Sequence, residues 1–230
     1  MSGTTPPPPA PPVPVAPVAA AQPAAGRHIG DGPTGGLRVF LAAPFVQFID
    51  PADGVVRPQW RQRLSALREA LLDAGHAVFN AHHNEGWGEW GLPPQECVPS
   101  DFRAMQCADL VLAYPGTPPS TGVALELGWA SALRKPVALL LDPGTTYSPM
   151  ISALGEISPV LQLPFDGSWS AQSLDGAVRT TLDWAAGLGV RPGPWSAPEL
   201  DPALAYHRHA TDRTGTPAAE PAAAETVVPA

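Results

Sequence analysis

Residues 109–133 read DLVLAYPGTPPSTGVALELGWASAL, and this stretch decides the fold. Asp109 to Tyr114 is a short, almost wholly apolar run, the pattern of a strand buried on both sides. Pro115 to Gly122 is a tight loop of turn-forming residues, and from Val123 to Leu133 apolar residues recur with helical period. The same alternation continues outward in both directions. Upstream, Leu37 to Ala43 is an apolar strand closed by Pro44. Trp60, Leu64, Leu67 and Leu71 recur at helical spacing, and Gly75 supplies the stop. His76 to Asn80 reads as a second strand. Residues 81–99, with Trp87, Trp90 and two adjacent prolines, read as a long connection too polar and irregular for core. Ser100 is the expected N-cap of a short helix ending at Cys107. Downstream, Val137 to Leu141 is a strand; a short helix near 148–155, a strand near 159–163 and a helix over 171–186 follow. The expected architecture is α/β, a doubly wound, flavodoxin- or Rossmann-like five-stranded parallel sheet flanked by helices. In such sheets ligands bind beyond the carboxyl ends of the strands, here the loops after Leu41, Phe79 and Tyr114.

The ends of the chain read differently. Pro 31 and Gly 22 in 230 residues exceed ordinary usage, and residues 1–36 alone hold ten prolines and seven alanines. Such segments have little to bury against the entropy of ordering, so 1–36 and 191–230 are expected to be disordered tails around a catalytic domain at 37–190. The net charge of −8, with no run of Lys or Arg, argues against nucleic-acid binding through bulk electrostatics. The chain has no run of 18 apolar residues, and its N-terminus does not read as a secretory signal. Cys97 and Cys107 are too few for a disulfide scaffold and lack metal-type spacing. A reduced, cytoplasmic protein with no membrane partner is expected.

Glu126 is the anomaly in the deciding stretch. At about 100° per residue from Val123, Leu127 falls near 40° and Ala130 near −20°, with Glu126 near −60° inside the same apolar arc. Either its carboxylate reaches solvent or an amide from the margin of the arc, or it is a nucleophile or general base held near a helix N-terminus at the ligand end of the sheet.

The segment Asp101 to Tyr114, the run Ser120 to Ala130 containing Glu126-Leu127-Gly128, and Lys135-Pro136-Val137 together resemble the nucleoside 2-deoxyribosyltransferase superfamily. The strand and loop Val39 to Phe45 and the stretch Phe79 to Gly88 look like its branch of N-glycosidases that hydrolyse CMP or hydroxymethyl-CMP in nucleoside-antibiotic pathways. The resemblance covers about residues 37–165. It implies hydrolysis of a pyrimidine ribonucleoside 5′-monophosphate, most simply CMP, to cytosine and ribose 5-phosphate, with Glu126 attacking the anomeric carbon. It further implies that Asp101 touches sugar or base, although an Asp there also suits the first turn of a helix. Ser120 stands where transferases acting on free nucleosides carry Asp. A carboxylate would repel a 5′-phosphate, whereas a hydroxyl with the amides around Gly122 would hold it.

The resemblance also draws Phe40, Ala42 and Phe45 from the first strand and its loop into the substrate site. Phe40 replaces the Tyr of deoxyribose-specific relatives, which leaves room for a 2′-hydroxyl; it also fits as a plain core aromatic. Phe45 is expected to stack on the base. Val46 departs from the basic residue of the hydroxymethyl-CMP-preferring relative, which favours plain CMP. The loop holding His82 and Trp87 is placed at the pyrimidine edge. Its His and Glu content suggests a metal, but adjacent histidines usually diverge and the implied mechanism needs no ion, so neither metal nor cofactor is expected. A homodimer is implied by resemblance alone. Two competing functions are a transferase exchanging bases, against which Ser120 speaks, and a non-catalytic nucleotide-binding module, which the long tails would suit as a tether.

Overall fold

Parallel strands are covered on both faces and need uninterrupted apolar runs, so the runs in this sequence fix where its strands lie. The computed structural model describes residues 36–89 and 92–193. The tail expectations, and Trp90, fall outside the described residues, apart from the first few positions of the C-terminal segment. In chain order the elements are β1 (Arg38–Ala42), α1 (Pro58–Asp73), β2 (Ala77–Phe79), α2 (Ala81–Asn84), α3 (Pro94–Cys107), β3 (Leu110–Ala113), α4 (Thr121–Ala132), β4 (Val137–Leu141), α5 (Pro149–Ser152), β5 (Val160–Pro164) and α6 (Ala171–Gly187). Single 3-10 turns stand at Gly86–Gly88 and Leu154–Glu156.

The five strands form one parallel sheet in the order β2-β1-β3-β4-β5. This is the flavodoxin-like variant of the doubly wound fold, whose switch point lies between β1 and β3. Phe40 is in register with Phe79 on one side and with Val111 on the other. Side chains alternate across the sheet. Val39 and Leu41 join a core with Leu64, Leu67 and Leu71 of α1 and Leu174 and Val178 of α6. Phe40 and Ala42 join a second core with Ala104 and Met105 of α3 and Val123, Leu127 and Ala130 of α4. Among the described residues no helix is long and apolar enough to cross a membrane.

The stretch 81–99 corrects the sequence reading. It is not an irregular connection outside the core: α2, a 3-10 turn and the opening of α3 occupy most of its described part. Asn80 caps α2, its side-chain oxygen accepting the His83 N–H at 3.2 Å. Trp87 is only 4% exposed and packs in the core of the α1/α6 face. Its backbone stands at φ 63°, and its carbonyl accepts the Val56 N–H at 2.8 Å. Helix α3 starts at Pro94, not at Ser100, which lies buried inside it. A proline suits a first helical turn, where its missing N–H would have no acceptor anyway. Helix α4 likewise starts two residues earlier than its apolar period suggests, because Ser120 caps it.

Candidate active site

At the switch point the loops leaving β1 and β3 come close together. Gly116, at φ 85°, makes the approach possible: a Cβ there would stand 2.5 Å from Pro44 Cγ. The β3 loop ends at Ser120, whose Oγ accepts the Val123 N–H at 3.5 Å. The N–H groups of Thr121 and Gly122 belong to the first helical turn, which has no intrahelical acceptors.

Glu126 lies farther along α4 and is half-buried. Helices α3 and α4 pack together, the Phe102 ring edge-on to Trp129 with centroids 5.3 Å apart. Asp101, next to Phe102, lies close enough to Glu126 for its charge to act on that carboxyl. Burial, and then the charge of Asp101, push the Glu126 carboxyl well above the ordinary carboxylate range. Asp101 is itself pushed up to about 7, first by burial and then by the charge of Glu85. Two such carboxyls titrate as a unit, each charge opposing the ionisation of the other. Proton and charge side by side are what acid-assisted departure and nucleophilic attack require.

Glu85, which the sequence offers only as part of the 82–87 loop, acts on Asp101 and so belongs to this group. It is 6% exposed, and its Oε2 accepts the Leu92 N–H at 2.9 Å. Burial pushes Glu85 up, while that hydrogen bond holds it down. Cys97, one turn before Asp101, is raised by burial and then by the charges of Glu85 and Asp101. Spacing on α3 shows Cys97 and Asp101 on one face, but no periodicity brings Glu85 there; only the fold does.

A second group forms at the β1 loop. The Phe45 ring lies against His82, with centroids 4.8 Å apart and planes at 31°. His82 is 1% exposed, which differs from its expected place at a base edge. Its Nε2 meets the Pro44 carbonyl at 3.0 Å and its Nδ1 meets the Asn80 amide nitrogen at 3.5 Å. With both ring nitrogens engaged internally, His82 has no polar atom left for a base. Asn80, another residue the sequence did not single out, donates to the Leu41 carbonyl at 3.2 Å.

The remaining expected residues are scattered between these groups. Phe40 stacks on Phe79 at 5.2 Å and, with Ala42, lines the sheet face that α3 and α4 cover. Val46 is 84% exposed on the turn after Phe45. Trp87 is built into the opposite core, its ring edge-on to His83 at 6.0 Å, and so is not placed with the carboxylates. Among the described residues no cluster of three or more His, Cys, Asp or Glu is arranged to hold a metal ion.

The profile of the nucleoside 2-deoxyribosyltransferase family matches residues 39–180, from β1 into α6. The chain belongs to that family. Members are enzymes that act at the bond between a nucleobase and a sugar, and both side-chain groups described above lie inside the matched span. Among solved structures, the solution structure of BlsM is 35% identical, with 65% of this chain and 94% of that one covered at a TM-score of 0.55. The CMP N-glycosidase BcmB of Clostridium botulinum is 29% identical, with 64% and 98% covered at a TM-score of 0.46. No curated protein matches the chain.

Proposed function

We propose that this family member hydrolyses the N-glycosidic bond of a pyrimidine ribonucleoside 5′-monophosphate, CMP above all, with a catalytic domain spanning about residues 37–190. The observation that carries the reading is the Asp101–Glu126 pair on packed helices at the ligand end of the sheet. In this reading Glu126 is the nucleophile. Its carboxylate stabilises positive charge as the C1′–N1 bond stretches, then bonds to C1′. Asp101 gives its proton to the departing cytosine. Protonating Asp101 also removes the charge that adds to burial in holding Glu126 uncharged, so the proton-donating arrangement is the one that eases the ionisation of Glu126. Water then attacks C1′, Asp101 recovers a proton from it, and ribose 5-phosphate leaves with Glu126 restored.

Ser120 and the amides of Thr121 and Gly122 supply donors for the 5′-phosphate at the start of α4. Phe45 stacks on the base. Phe40 and Ala42, buried in the core under α3 and α4, back the site from inside and present no polar group to a 2′-hydroxyl, and Val46 borders the base without a donor. His82 and Trp87 are withdrawn from direct contact by their burial. A homodimer is part of the proposal: α4 is apolar on its outer side too, with Ala124, Leu125, Gly128 and Ala132 exposed, and a helix apolar all round is normally covered.

The test is to incubate the protein with CMP, UMP, dCMP and cytidine and to quantify free base. CMP is expected to be cleaved fastest, and Glu126→Gln to abolish release. Faster cleavage of cytidine than of CMP refutes the phosphate role of Ser120, and base exchange with added adenine in place of hydrolysis favours the transferase. Sedimentation at micromolar concentration checks the dimer, with Leu125→Glu expected to yield monomer.

A further inference from the structure

The β1 loop carries more machinery than a stacking ring needs by itself. Side chains and carbonyls from two stretches of the chain, Leu41 to Phe48 and Asn80 to His83, meet at Phe45. Asn80, at the end of β2, is fully buried and uses its whole side chain: its oxygen accepts the His83 N–H, and its nitrogen faces the Leu41 carbonyl and His82 Nδ1. The Pro44 carbonyl can only accept, so the His82 Nε2 in contact with it at 3.0 Å carries the hydrogen. His82 Nδ1 is then an acceptor, as the amide nitrogen of Asn80 requires. One tautomer satisfies both ends. The imidazole lies against Phe45 and, farther off, against Phe48 at 6.2 Å. The turn is also tied from its other side: Phe48 N–H donates to the Phe45 carbonyl at 3.0 Å, and the Arg57 guanidinium donates to the carbonyls of Gln47 and Phe48.

We propose that Asn80 and His82 are positioning residues that lock Phe45 as a preformed stacking platform for a pyrimidine base. This rests on the function proposed above. The imidazole covers one side of Phe45, and the half-buried ring keeps surface for a base. Asn80 sets the tautomer and joins the ends of β1 and β2, so the platform is anchored to the sheet and not to a mobile loop. Burial pushes His82 down to about 4, with the Pro44 carbonyl acting in the opposite sense, so the ring stays uncharged where the enzyme works. The other ionisable groups around this bracket are accounted for: His83 faces Trp87, Glu85 binds the Leu92 N–H, and Arg57 binds turn carbonyls. A preformed platform holds the base equally in the bound substrate and the transition state, so its loss raises KM and spares kcat.

The experiment compares wild type, Phe45→Ala, His82→Gln and the double variant on CMP, using the full chain. Phe45→Ala is expected to raise KM about tenfold, in keeping with base–aromatic stacking, and His82→Gln about threefold. The double variant is expected to match Phe45→Ala alone, because His82 acts through that ring. KM effects that multiply, or a fall in kcat at unchanged KM, overturn the proposal. A second measurement does not depend on turnover: the imidazole nitrogen signals of His82. They are expected to show the Nε2–H tautomer, unchanged from about pH 5 to 8 in wild type and in Phe45→Ala. Asn80→Asp, which keeps the α2 cap but removes the amide donor, is expected to bring the ring into titration within that range. A wild-type ring that titrates there overturns the proposal. If wild type releases no cytosine, the functional reading falls and the imidazole signals alone decide the bracket.

Discussion

The two faces of the sheet share every strand and differ in chemistry. On the α1/α6 side, large rings close the core: Phe48 lies flat on Trp60 with centroids 3.8 Å apart, Tyr114 and Phe165 stand edge-on to Trp169, and the Arg63 guanidinium covers Trp60 at 4.7 Å. On the α3/α4 side, alanines (Ala42, Ala77, Ala104, Ala108, Ala113 and Ala130) are interleaved with aliphatic residues around Phe40 and Phe79. Beside that core stand carboxyls whose burial favours the uncharged form. One face holds the fold together, and the other keeps groups in an environment that opposes their ionisation. The difference teaches where stability and chemistry are each concentrated, and substitutions on each face should part the two.

The largest effect is expected at Glu126. Glu126→Gln removes the nucleophile and should lower kcat by about a thousandfold or more, measured as cytosine release under saturating CMP. The same change should raise the melting temperature at pH 8. A carboxyl whose folded pKa is raised contributes stability in full below its unfolded value, and that contribution is lost as pH rises through the folded pKa. Gln carries no charge to desolvate, so it avoids that loss. Loss of activity with no gain in stability would break the contrast between the faces. Next in size is Leu67→Ala on the opposite face. Leu67 is fully buried, and truncating it should cost about 2–5 kcal/mol in denaturant unfolding while kcat per folded molecule stays unchanged.

Between these extremes lies Ser120, which belongs to both requirements as cap and as phosphate donor. Ser120→Asp keeps a good N-cap, so unfolding should barely change. KM for CMP should nevertheless rise about tenfold from charge repulsion, while KM for cytidine does not. A rise for both ligands would separate Ser120 from the phosphate.

How much of this was legible in the sequence follows from the same contrast. The strands could be read because continuous apolar runs such as Leu110 to Ala113 have one use in a domain this size, and their alternation with helical periods fixed the parallel topology. Glu126 could be read because it breaks an apolar arc. The 81–99 stretch could not, because its polar residues are buried against partners that no periodicity shows: His82 with the distant Pro44 carbonyl, and Glu85 with the Leu92 N–H across the intervening turn. A local pattern treats polarity as exposure, and only tertiary partners reverse that. The start of α3 was hidden for a different reason. Pro99-Ser100 looks like a helix boundary, whereas Pro99 lies inside the helix and Ser100 is buried there.

The smallest expected effect is also the sharpest test of the carboxyl group. Glu85 is tied to the Leu92 N–H, and its charge raises Asp101, whereas Glu126 is raised by burial and then by Asp101. Glu85 therefore biases the pair toward a protonated Asp101, the form that donates to the leaving base. Activity that needs this proton should fall as pH rises through about 7, the folded pKa of Asp101. Glu85→Gln removes the charge while its side-chain oxygen can still accept from Leu92. The alkaline limb of kcat against pH should then move to lower pH, by roughly half a unit to one unit. The maximal rate below that limb should change little, because Glu85 touches neither sugar nor base in this reading. A limb that stays in place would mean that Asp101 is not the group whose proton is lost. A limb that moves to higher pH would reverse the sign of the coupling, and with it the assignment of donor and nucleophile within the pair.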